Sequence, residues 1–92
     1  MPIVHAIEGC AGYFKKRREE ILLRCSARRE RRIAIYLSKV LSGKKHSEVG
    51  NHFGIKVAAV SNVLREMETR LETDTDLKND VRKIRERLLN VI

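Results

Sequence analysis

"VGNHFGIKVAAVSNVLRE", residues 49–66, is the stretch that decides the fold. A short apolar-periodic segment, a glycine and then a longer periodic segment is the pattern of two helices joined by a tight turn. With Gly54 as the turn residue, a small residue is required four positions earlier, where the helices cross, and Gly50 stands there. Apolar residues are required one and five positions before the turn and six and nine after it; Phe53, Val49, Val60 and Val63 fill those places, and Ile55 plugs the turn. The spacing predicts a helix-turn-helix over about 46–72, with helices at 46–53 and 57–72.

At about 100° per residue, the second helix turns Val60, Val63, Leu64, Met67 and Leu71 to one side. Its other face carries Ala58, Asn62, Arg65 and Thr69, with Ser61 at the edge, while Glu66, Glu68 and Glu72 lie on the flanks. Asn pairs bidentately with adenine, Arg with guanine, and a small apolar group sits against a thymine methyl. Small residues at the tip, Val57, Ala58 and Ala59, let a helix backbone approach base edges, and Lys56 just ahead of them suits a phosphate. The bland reading of the same glycines is a helical hairpin in which Gly50 and Gly54 only permit tight packing.

Outward from this unit, every segment has helical spacing. Ile3, Ala6, Ile7, Cys10, Ala11 and Phe14 predict a helix over 3–14, weakened by Gly9 and Gly12 unless these allow close packing. A short helix at 17–23 turns Ile21 and Leu22 inward, and "RCSA" (24–27) reads as a loop. A third helix starts near Arg28, carries Ile33, Leu37, Val40 and Leu41 on one stripe, and stops at Ser42-Gly43. "TDTD" (73–76) reads as a loop that supplies an N-cap to a last helix, 77–91, striped with Leu77, Val81, Ile84, Leu88 and Val91. With 92 residues and no strand-like alternation, the expectation is one all-α domain, a bundle of about six helices.

The formal charge of +8 is one-sided: residues 1–46 hold 12 Lys/Arg against 4 Asp/Glu, and residues 47–92 hold 8 against 8. Arg28, Arg29, Arg31 and Arg32 crowd a helix N-terminus, where cations are electrostatically unfavourable and an external anion would relieve them. A basic surface of this kind suits a polyanion, nucleic acid above all. No run is long and apolar enough for a membrane helix, the N-terminus lacks the features of a signal peptide, and a cytoplasmic, membrane-free protein is expected. Cys10 and Cys25 are read as reduced thiols, Cys10 in the core. His5, His46 and His52 have no metal-ligand spacing, and no nucleophile stands beside a base. No metal, cofactor or small-molecule substrate is expected, and no enzymatic activity. Scarce aromatics, at 4%, argue against base stacking on single strands. The reading from a different class is a protein-interaction module that docks through helix 77–91.

The stretch "RRERRIAIYLSKVLSGKKHSEVGNHFGIKVAAVSNVLREME" (28–68), together with Tyr13-Phe14 closing the first helix and "EVG..FG" at Glu48–Gly54, resembles the C-terminal DNA-binding domain of the bacterial replication initiator DnaA. It is more similar still to the copy of that domain at the C-terminus of some transposase-like proteins of the repetitive-element-associated tyrosine type. The resemblance covers about 5–90 and implies a bundle similar to the Trp repressor, with its helix-turn-helix in the major groove of duplex DNA. It also implies that arginines of an Arg-rich loop, 24–32, reach the minor groove or backbone. That role falls on Arg24, Arg28 and Arg29 and extends to Arg31. The initiators' Arg-Asp-His-Thr-Thr type of sequence is replaced here by Ile55, Lys56, Val57, Ala58 and Ala59, so a different site is expected, read by Ser61, Asn62 and Arg65. Lys45 stands where the family often has a capping Ser or Thr, which weakens that helix start. The 92 residues hold neither the initiators' ATPase domain nor the transposases' catalytic domain; if the natural product is longer, the resemblance makes this its DNA-anchoring module.

Overall fold

The amphipathic periods become six helices in chain order: α1 (Ile3–Phe14), α2 (Arg18–Leu22), α3 (Arg28–Ser42), α4 (His46–Phe53), α5 (Val57–Thr73) and α6 (Thr75–Leu89). The computed structural model describes residues 1–22 and 28–89, and no strand occurs among them. Arg24, Cys25, the loop expected at 24–27, Val91 and the side chain of Arg28 lie outside what is described.

The helix ends follow from local chemistry. At the end of α1, Lys15 takes the left-handed conformation with φ 55°, and the Lys16 N–H reaches the Ala11 carbonyl at 2.9 Å. This closes the helix as a Schellman motif does, without the customary glycine. α4 and α5 both start without a side-chain cap, at Lys45 and Lys56, as the basic residues at those positions predict. Between α5 and α6 the expected four-residue loop shrinks to Asp74 alone. Its N–H bonds the Arg70 carbonyl at 2.7 Å and its carboxylate accepts the Leu77 N–H at 3.0 Å, so one residue ends one helix and caps the next. Threonine on either side is compatible with helix, which is why four polar residues produce a single-residue hinge.

α3 is the axis of the bundle and packs on all five other helices, most extensively on α1. Its Ile33, Ala34, Ile35 and Leu37 are buried, as is Ser38. The stripe therefore centres on Ala34, Leu37, Ser38 and Leu41, and Val40 falls about 110° from that centre. Val40 is 42% exposed, a correction to the inward position expected from the stripe of Ile33, Leu37, Val40 and Leu41. Two small residues, Ala34 and Ser38, are fully buried at the centre of the face. α6 seals the far side with Leu77, Val81, Ile84 and Leu88, all buried. A Cβ on Gly9 would sit 2.3 Å from Leu88 Cδ2, so this glycine lets α6 close on α1; around Gly12 there is open space.

Cys10 is fully buried, and burial pushes its thiol from the ordinary value of 9.0 to about 12. The thiolate is the reactive form, and here it is both suppressed and inaccessible. Iodoacetamide at pH 8 is expected to leave Cys10 unmodified in the native protein and to alkylate it after denaturation, as read by peptide mass spectrometry. Because the folded value lies above the unfolded one, this group contributes stability fully below pH 9.0 and loses it as pH rises towards about 12. Native labelling of Cys10 at the rate of a free thiol would mean that α1 does not pack as described.

Candidate nucleic-acid interface

The site begins with an approach that only glycine permits. A Cβ on Gly50 would stand 2.5 Å from the Ile55 carbonyl oxygen and 3.4 Å from Val60 Cγ2, so backbone of the turn lies directly on α4. Gly54 turns the chain with φ 67°, and the Ile55 N–H bonds the Gly50 carbonyl at 2.9 Å. Val49, Phe53 and Val60 are buried around the crossing, with Ile55 and Val63 packed against them. Three residues, 54–56, therefore separate α4 from α5.

This crossing fixes the outward face of α5. Ala58, Asn62, Arg65 and Thr69 are exposed, Ser61 is half-buried, and Val57 at the tip is 50% exposed. Lys56 is exposed at the N-cap, and the first turn of α5 carries no acidic residue. The positive end of the helix dipole is thus left open to an anion. Thr69 donates to the Arg65 carbonyl at 3.0 Å, within the helix. The side chains of Asn62 and Arg65 have no hydrogen bond or ion pair among the described residues, so the donors and acceptors of these side chains face outward.

The arginine run behaves otherwise. From position 28 onward it is helix, not loop, and three of its guanidiniums hold other helices. Arg29 Nη1 lies 2.8 Å from an Asp80 carboxylate oxygen on α6, and Arg32 Nη1 lies 3.2 Å from Glu66 on α5. Arg31 Nη2 donates to the Phe53 carbonyl at 2.8 Å at the end of α4. For Arg31 this corrects the expected loop position, since its guanidinium turns in towards the turn. Arg29 stays 44% exposed and keeps an outward edge.

A network that sequence pattern does not disclose stands behind Arg29. The Tyr13 hydroxyl donates to Asp80 at 2.9 Å, and Arg87 lies over the Tyr13 ring at 5.9 Å from its centre. The hydrogen bond to the carboxylate holds the phenol pKa above its ordinary value, helped by burial and the Asp80 charge and opposed by Arg87 and Arg29. Tyr13 and Asp80 are 67 residues apart, so no local signal joins them. Among the described residues, no group of His, Cys, Asp or Glu could hold a metal, and no helix is long and apolar enough to cross a membrane.

No protein-family model matches the chain, and no solved structure matches it significantly. It is 37% identical over 75 residues to the chromosomal replication initiator protein DnaA of Limosilactobacillus reuteri (strain DSM 20016), over 80% of this chain and 16% of that protein. DnaA of Geotalea daltonii (strain DSM 22248 / JCM 15807 / FRC-32) is 33% identical over 61 residues, 65% of this chain and 14% of the relative. The chain thus spans about one sixth of the length of the curated relatives it matches, 16% in the longer alignment.

Proposed function

We propose that this DnaA C-terminal-like domain binds double-stranded DNA in a sequence-specific way, with α5 in the major groove. The observation that carries the reading is the outward, acid-free face at the start of α5, where Asn62 and Arg65 have no partner in the described residues. Unheld amide and guanidinium groups on a rigid helix are what base edges require. Asn62 pairs with an adenine and Arg65 with a guanine, Ser61 adds a hydrogen bond, and Ala58 contacts a thymine methyl. Lys56, at the tip, meets a phosphate. Arg29 contributes its exposed edge to the DNA backbone, a role that the resemblance gives to Arg24 and Arg28 as well. As part of a longer protein, of an initiator-like or transposase-like kind, the domain would anchor the remaining chain to its site.

Against the interaction-module reading, Leu77, Val81, Ile84 and Leu88 of α6 are buried within the bundle, and Leu89 alone of the helix's described apolar residues stays exposed. Selection from a random duplex library should therefore enrich one sequence, and affinity for it should fall with salt at a log-log slope of about 0.9 per phosphate neutralised. Arg65→Ala should cost roughly 1 to 3 kcal/mol on that sequence and almost nothing on random duplex, measured by fluorescence anisotropy. Equal losses on both would remove Arg65 from base reading, and a library with no enriched sequence would leave only nonspecific binding.

A further inference from the structure

The three arginines of α3 that meet other helices differ in what they meet. Arg29 and Arg32 form half-exposed pairs with side chains, of the kind that contributes little and yields readily to a competing anion. Arg31 instead donates to main chain, at 2.8 Å, in a part-buried position. Its acceptor, Phe53 O, is one of the carbonyls that a helix end leaves without an intrahelical donor, and no backbone N–H among the described residues reaches it. A guanidinium there satisfies an orphan acceptor and places positive charge at the negative end of the α4 dipole. The next residue is Gly54, and Lys56 caps α5 two residues later, so this bond ties the frame of the bundle to the point where α5 is aimed.

We propose that Arg31 is a positioning residue for DNA recognition: through the Phe53 carbonyl it fixes the α4–α5 turn against α3, and it does not itself contact nucleic acid. The proposal rests on the duplex-binding reading above. A phosphate contact and a positioning contact leave different traces. Losing a phosphate contact weakens binding alike on all sequences and lowers the salt slope by about 0.9. Losing the anchor loosens the aim of α5, which weakens binding on the preferred sequence and leaves the slope unchanged.

The test compares wild type with Arg31→Met, which keeps the length of the side chain without its donors. Hydrogen exchange without DNA is expected to speed up at the amides of Ile55, Ala59 and Val60 in the variant, while the α1 and α6 amides keep their protection. Affinity for the preferred duplex is expected to fall about tenfold, nonspecific affinity by less than about twofold, and the salt slope to stay the same. A uniform loss with a lower slope, or unchanged exchange at the turn, overturns the proposal. Should Arg31→Met fail to fold by circular dichroism, Arg31→Gln takes its place: it removes the charge and keeps an N–H donor, and a uniform loss on all sequences with a lower salt slope and unchanged exchange at the turn would overturn the proposal. Wild-type protein that binds no duplex would defeat the DNA reading itself, an outcome distinct from wild-type binding with a uniform loss in the variant.

Discussion

Gly50→Ala is expected to lower the thermal midpoint further than alanine at Gly12 or Gly54. The added Cβ would lie 2.5 Å from the Ile55 carbonyl oxygen, a main-chain atom with no rotamer through which to retreat. Ile55 is itself bound to Gly50, its N–H to the Gly50 carbonyl at 2.9 Å, so the clash and the bond that closes the turn share the same two residues. Relief requires α4 and the turn to separate, which exposes Val49 and Val60. Overpacking of a tight contact costs roughly 1 to 3 kcal/mol and occasionally more. For a domain of this size that corresponds to a midpoint lower by roughly 5 to 20 °C. Gly54→Ala meets no atom within 4 Å, and its cost is that of an L-residue held at φ 67°, about 1 to 2 kcal/mol. Gly12→Ala also meets open space, but inside a helix, and should stabilise by up to about 1 kcal/mol. The order of melting temperatures, Gly12→Ala above wild type above Gly54→Ala above Gly50→Ala, is read by circular dichroism. A Gly50→Ala protein that melts with wild type would mean that the helices do not cross so closely, and the outward aim of α5 would lose its basis.

That close crossing was legible because each requirement falls within a few residues of Gly54. α4 lies at His46–Phe53 and α5 begins at Val57, where the periodicity puts them. The same locality explains the misplacements. The stripe through Ile33, Leu37, Val40 and Leu41 counts only large apolar residues, whereas the buried face of α3 also takes in the small Ala34 and Ser38, which moves its centre away from Val40. The arginine run showed that positive charge collects at the start of α3, but not where each guanidinium goes. Their partners are Phe53, Glu66 and Asp80, on three other helices. A pattern within ten residues cannot distinguish a cation aimed at solvent from one aimed at a carbonyl 22 residues away, because the choice is made by tertiary packing.

Ile84→Asp is the second substitution with a large expected effect, and it separates two uses of one apolar stripe. If α6 were a docking helix, a carboxylate at position 84 would remove partner binding and leave folding intact. In this bundle Ile84 is 1% exposed, with Leu77, Val81 and Leu88 buried beside it. A charge there is shut off from water, and Arg87 three residues on is engaged over the Tyr13 ring, so the carboxylate either stays ionised at several kcal/mol or takes up a proton at a raised pKa. The loss of the isoleucine's own burial adds about 2 kcal/mol. Against a total stability of about 5 to 15 kcal/mol, the sum leaves the variant largely or wholly unfolded at neutral pH. Arg85→Gln, one residue on and exposed, is the control and should shift stability by no more than about 0.5 kcal/mol. Urea titration at pH 7 checks both. A further outcome follows from the sign of the shift: a buried aspartate whose folded pKa is raised destabilises more as pH rises, so Ile84→Asp should recover part of its stability at pH 4 relative to wild type. An Ile84→Asp protein as stable as the parent at pH 7 would return α6 to the surface and reopen the case for a protein partner. Cooperative loss of structure would instead tie the last helix to the same core that aims α5.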